Sequence, residues 1–183
     1  MENMKNKISE TTKILMDEHK NILKVANALE KECEEIKNGK RVNDEFLRKV
    51  IDFIRNYADK FHHAKEEDIL FKEMCKSSVQ EKLHCNPIEQ MLKEHNLGRN
   101  FIKGIEEGMK ERFRQKVVEN ALGYVQLIKE HIYKEDNVLY PMGDEALDKV
   151  ILKSMLDKFK KIEEERRNEK QKHLRFIKEL QIK

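Results

Sequence analysis

The sequence predicts an all-α fold: an antiparallel up-down-up-down four-helix bundle with an extra C-terminal helix. Three observations predict it. The 183 residues include only six glycines and two prolines, so few positions break a helix. Charged residues make up 40%, with acids and bases interleaved, as long solvated helices require. Apolar residues recur at spacings of three and four along five segments joined by short connections, which favours antiparallel neighbours. Residues 1–143 are expected to form the bundle. Residues 144–183 are expected to form a helical extension packed on it or on a partner.

Segment A covers about 9–38 and ends at "KNGK", where Gly39 supplies a left-handed cap. Segment B starts at Asn43 or Asp44 and runs to about Lys76. "SSVQEKLHC" is a connector with room for a short helical turn. Segment C opens on "NPIEQ", with Asn86 as cap and Pro87 in the first turn, and reaches about Lys110. Segment D covers about 114–140 and is expected to stop at Pro141. Segment E follows, as one helix or two. Its apolar positions Val150, Met155, Leu156, Phe159, Ile162, Leu174, Ile177 and Leu180 fit the bundle or a second copy of the chain, as in a homodimer.

Composition excludes several classes of function. The formal net charge is only +3, with no basic face and no aromatic interleaving, so nucleic acid is not an expected partner. No apolar run approaches the roughly 20 residues of a membrane span, and no membrane partner is expected. The N-terminus lacks a signal-peptide core, which predicts a cytoplasmic protein. Cys33, Cys75 and Cys85 have neither the even count nor the spacing of a disulfide framework or a zinc site, and read as buried free thiols.

The helical seams carry the chemistry. Segment A reads Leu15, His19, Ile22, Ala26, Leu29, Cys33, Ile36; segment B reads Leu47, Ile51, Ile54, Ala58, His62, Glu66, Ile69. Segment C reads Ile88, Met91, His95, Gly98, Ile102, Ile105, Met109; segment D reads Val117, Ala121, Tyr124, Ile128, His131, Glu135, Val138. Each seam holds a histidine, and two add a glutamate one turn on. Buried acids and imidazoles without partners are costly. A shared metal centre satisfies all of them at once.

"FHHAKEEDILF" (61–71) and "EHIYKEDNVLY" (130–140) repeat one pattern, His-x-x-x-Glu followed by Leu and an aromatic residue. Residues four apart stack about 6 Å apart along a helix. Each histidine can then serve one ion while its glutamate reaches between two ions roughly 3.5–4 Å apart. His63 lies off the strict seam but flanks the core, and a second ion would otherwise be short of nitrogen, so His63 joins the expected ligands. The competing pair is His63/Glu67; the overlay favours His62/Glu66.

With "MDEH" (16–19), "PIEQMLKEHNLGR" (87–99) and "HIYKEDNVLYPM" (131–142), these motifs make the chain resemble the hemerythrin-like family, the HHE cation-binding domain. The resemblance spans residues 16–142. It implies a non-heme, carboxylate-bridged centre of two iron ions. Carried over position by position, the ligands are His19, His62, His63, His95 and His131, with Glu66 and Glu135 as bridges. Two departures stand out. Oxygen-carrying members place a second histidine four residues after the one on the third helix, where this chain has Arg99. They also end in His-x-x-x-x-Asp, which would select Asp136 rather than Glu135. The first departure makes His63 the replacement ligand.

The expected function is to bind or sense dioxygen or a related small ligand such as nitric oxide or peroxide. Two other readings stand beside it: a di-iron oxidoreductase acting on peroxide, nitric oxide or ferrous iron, and a structural or regulatory metal protein. Several residues are set aside. Glu81 and His84 form a single Glu-x-x-His, where a ferritin-like site needs two. His173 reads as solvated, Lys65 and Lys134 as exposed partners of acids. Asp17, Glu18, Glu94 and Asp136 read mostly as surface charge, with hydrogen bonds to imidazole N–H groups as the functional alternative. Tyr124 reads as core.

Overall fold

A computed structural model describes residues 8–81 and 87–181. It is helical, with no strand among the described residues. Helix α1 is Glu10–Lys37; Ser9 caps it by accepting from the Thr12 amide at 3.1 Å. Gly39 ends it at φ +105°, a left-handed conformation that a side chain would strain. Asn43 caps the next helix, accepting from the Phe46 amide. That helix, α2 (44–74), is α-helical over Asp44–Phe53 and closes at Phe71–Met74. Between them lie two stretches wound more widely, with hydrogen bonds one residue longer than α: Ile54–His63 and Glu66–Leu70. One turn, Ser77–Gln80, follows. The expected cap Asn86, with His84 and Cys85, lies outside the described residues.

Helix α3 is Ile88–Lys110. Helix α4 (114–146) is α-helical over Arg114–Lys134, wide over Glu135–Leu139, and α-helical again over Tyr140–Ala146. Pro141 therefore does not stop this helix, contrary to expectation. A proline ring normally collides with the carbonyl four residues back. The wide turn just before Pro141 shifts the carbonyl register, so the helix continues. Two helices follow, α5 (Lys149–Glu165) and α6 (Arg167–Gln181), with Asp148 capping the first.

The predicted seams of α1, α2 and α3 face inward, apart from the half-buried Met109. In α4 the seam shifts: Val138 is 45% exposed and Leu139 is buried instead. The wide turn explains it, because one extra residue per turn moves the inward position from 138 to 139. Arg114 reaches the Ile36 carbonyl, tying the start of α4 to the end of α1. Asp144 accepts from the Ser9 amide and from Thr12 Oγ1, each at 2.9 Å, tying the end of α4 to the start of α1. Met155, Phe159, Phe176 and Ile177 of α5 and α6 are buried within this chain, whereas Val150 faces solvent.

Three further expectations need correction. His173 is 2% exposed, not solvated: the stripe His173, Phe176, Ile177 docks, and its ring meets Phe53 and Tyr57 edge-on. Lys65 is fully buried, because Glu18 and Glu163 supply opposite charges inside. Cys75 is exposed, while Cys33 is buried and its thiol is pushed up to about 11 by burial, with Glu32 adding to it. No helix of the described residues is long and apolar enough to cross a membrane.

Candidate metal centre

All seven expected ligands are buried and face one another. His63, Glu66, His95 and His131 form one group with donor atoms within 4.8 Å of each other; His19, His62, Glu66 and Glu135 form a second. Glu66 belongs to both. Its Oε2 lies 3.6 Å from His62 Nε2 and 3.5 Å from His95 Nε2. Glu135 also faces both ways: Oε1 is 3.1 Å from His131 Nε2, and Oε2 is 3.2 Å from His19 Nε2. Glu67, the competing acid, is half-buried and outside both groups.

The wide turns build this arrangement. They hold His62, His63, Glu66 and Glu135. In an α-helix His63 would point well away from His62. Here both neighbours are buried, at 0% and 7% exposure, with ring centroids 5.6 Å apart. The repeat seen in the sequence is structural as well, since Glu66–Leu70 and Glu135–Leu139 have the same winding and length. His63 stacks on His95 with ring centroids 3.8 Å apart.

Four carboxylates behind the imidazoles set their tautomers. Glu18 of α1 accepts from His62 Nδ1 of α2 at 2.9 Å. Glu67 of α2 accepts from His95 Nδ1 of α3 at 2.7 Å. Glu94 of α3 accepts from His131 Nδ1 of α4 at 2.8 Å. Asp136 of α4 accepts from His19 Nδ1 of α1 at 2.7 Å, closing the circuit. Each acid adjoins an expected ligand in sequence yet serves the histidine of the next helix. Asp17, by contrast, is exposed and pairs with Lys20. The surface-charge reading of Glu18, Glu94 and Asp136 is thus corrected; their position beside a ligand was the available signal.

Arg99 lies outside both groups, pairing with Asp59 at 2.6 Å and Glu67 at 2.7 Å. Its charge fills the cluster of Asp59, His63 and Glu67. Lys65 backs Glu18 and lies 3.7 Å over the Phe61 ring. Tyr140 is a residue that sequence reasoning missed. Its hydroxyl donates to Glu66 Oε1 at 2.5 Å and lies 3.3 Å from His19 Nε2. The signal was in the overlay, where one copy ends in Phe71 and the other in Tyr140.

The donor chemistry fits a metal. With Nδ1–H given to a carboxylate, each of four imidazoles turns Nε2 inward, where it can hold a cation or a proton. Against burial, Asp136 and Glu135 raise His19 to about 9, and Glu135 and Glu94 raise His131 to about 10. His95 Nε2 and His131 Nε2 stand 3.0 Å apart, a repulsive pairing unless a cation or proton lies there. His62 Nε2, His63 Nε2, Glu66 Oε2 and both Glu135 oxygens are buried without a hydrogen-bond partner. Burial, then the neighbouring His19, holds His62 well below the usual imidazole range; burial, then His95, lowers His63 to about 3. Glu66 is raised well above the carboxylate range by burial and by Glu135 facing it. Two buried carboxylates cannot both ionise here without positive charge between them. Nitrogen and carboxylate donors of this kind suit first-row transition metals.

No curated protein and no solved structure was found significantly similar to this chain. The family model for the hemerythrin HHE cation-binding domain matches residues 10–143, a span that includes every residue of both donor groups. The chain therefore belongs to the hemerythrin HHE cation-binding family.

Proposed function

We propose that the chain is a non-heme di-iron protein that binds or senses dioxygen or a related small ligand such as nitric oxide or peroxide. The observation that carries this is the pair of donor groups sharing Glu66, with Glu135 aimed at both. In this reading His63, His95 and His131 would hold one iron and His19 and His62 the other, with Glu66 and Glu135 available to both. The paired irons, when bound, supply reversible one- and two-electron exchange with such a ligand. The chain's own part is to orient the imidazoles through Glu18, Glu67, Glu94 and Asp136. The ties between the ends of α1 and α4 support an up-down-up-down arrangement of the four principal helices.

One observation favours a second reading, oxidoreduction. The Tyr140 hydroxyl donates a hydrogen bond to Glu66 beside the centre, a place from which such a donor steadies charge developing on a reduced ligand. Metal content and visible spectra of aerobically purified protein test both readings. Two irons per chain, with oxo-to-iron charge-transfer bands that change reversibly with oxygen, support binding. Irreversible oxidation with turnover of peroxide or nitric oxide supports the enzyme. A single zinc and no colour would overturn both.

A further inference from the structure

We propose that a cleft between α2, α3 and α4 binds a small, neutral, apolar molecule carrying a hydrogen-bond-accepting oxygen, of the size of an aromatic ketone. The cleft encloses about 320 Å³. A water molecule's share of the liquid is about 30 Å³, so this space suits on the order of ten heavy atoms and far exceeds a diatomic. Its walls include Ile54, Gly98, Ile102, Tyr124, Leu127 and Ile128. His63, His95 and His131 also line it, so it runs against the three-imidazole group. Exposed Arg55, Asn100 and Lys103 line it as well and place its mouth at the surface.

Two observations point to a ligand. The Tyr124 hydroxyl is buried and has no hydrogen-bond partner. A buried donor left unpaired is unfavourable, and a ligand oxygen accepting from it removes that penalty. Gly98 is the second. A Cβ there would meet Leu127 and Tyr124 at 3.7 Å, ordinary contact, so packing does not demand glycine. Glycine inside a helix is otherwise unfavourable. Its missing side chain is what keeps the cleft wide.

Charge selects a neutral molecule. The two arginines lining the cleft are already paired, Arg55 with Glu106, and Arg99 with Asp59 and Glu67. The other charged lining residues are paired too, Asp59 with Arg99, Glu94 with His131 and Lys134, and Lys103 with Glu107, so neither sign of charge is left over for a ligand. The proposal goes beyond the di-iron reading and does not depend on which metal is bound.

Isothermal titration calorimetry on the full chain tests it, with acetophenone as probe and ethylbenzene as the same shape without the oxygen. The titrations are run on the protein as purified and on zinc-loaded protein. Acetophenone is expected to saturate with a dissociation constant of about 1 mM or tighter. Ethylbenzene should bind about three- to tenfold more weakly. Gly98→Leu should abolish both heats while metal content is kept. Tyr124→Phe, which removes only an unpartnered hydroxyl and so keeps the fold, should bring acetophenone to the level of ethylbenzene. No saturable heat, equal affinities for the two probes, or an unchanged acetophenone affinity in Tyr124→Phe would overturn the proposal. Binding to the zinc-loaded protein stands even where the oxygen experiment fails, so the two readings fail separately.

Discussion

An imidazole presents one nitrogen to a metal only while the other keeps its proton, and here that second nitrogen is controlled from the neighbouring helix. The circuit Glu18–His62, Glu67–His95, Glu94–His131 and Asp136–His19 fixes four rings in the orientation that aims Nε2 inward. His131 holds Glu94 down to about 2 against the opposing effect of burial, and Lys134 contributes. Asp136→Ala or Glu94→Ala should each lower metal affinity about 10- to 100-fold with the fold retained, read by competition with a chromophoric chelator. An unchanged affinity in both would mean that the carboxylates only decorate the site. Lys65 acts one step further out. It is buried, paired to Glu18 and to the half-buried Glu163. Burial already raises Glu18 to about 7 against the pull of Lys65. Lys65→Met therefore forces the Glu18 carboxyl to take up a proton or stay unpaired, and the expected loss is about 3 kcal/mol in urea unfolding of the metal-free protein. Combining it with Glu18→Gln should recover much of that loss, because no unpaired charge remains.

Helices α3 and α4 meet closely because small residues line their contact. A Cβ on Gly108 would sit 2.9 Å from the backbone nitrogen of Val117, and backbone cannot swing aside. Gly108→Ala should therefore cost about 1–3 kcal/mol by thermal denaturation, despite alanine's better helix propensity. Gly98→Ala, with only ordinary contacts, should be neutral or stabilising. This element-level detail shows where sequence reading stops. Periodicity located α1, α3 and the start of α4, because three-and-four spacing is a direct record of α-winding. It misplaced Val138 and ended α4 at Pro141, because both depend on the wide turn Glu135–Leu139. A change of winding leaves no mark in a pattern read at a single period. The paired motifs were the nearest signal, since both copies carry the same wide turn after the same His-x-x-x-Glu. The seven inward residues were legible because buried acids and imidazoles on apolar seams are costly. Lys65 was not, because a single lysine is tolerated in many surroundings, and Tyr140 left only a faint mark, the tyrosine that ends one copy of the repeat where the other has Phe71.

At the scale of the whole molecule, α5 and α6 continue the support of the centre rather than ending at its edge. Glu163 of α5 pairs with Lys65, which pairs with Glu18, which fixes His62. Phe159 of α5 adds a ring 5.7 Å from the same ammonium. On α6, His173 is buried against Phe53 and Tyr57, and its Nε2 has no partner. Burial holds it below the ordinary imidazole value, with nearby Asp52 opposing and Lys172 adding to the shift. The sign of its linkage follows. Above the ordinary value of about 6.5, the ring is neutral whether folded or unfolded and contributes no pH dependence. As pH falls below that value, the unfolded chain takes up a proton that the folded chain refuses, so stability drops. The slope for one such group is bounded by about 1.4 kcal/mol per pH unit. His173→Phe keeps a ring between Phe53 and Tyr57 and removes the titration. Between pH 7.5 and 5 the thermal midpoint of the wild type should therefore fall more steeply than that of the variant. The two should run parallel above pH 7. Parallel curves across the whole range would show that α6 releases His173 to solvent before the fold is lost, and that its docking does not report on the stability of the centre it supports.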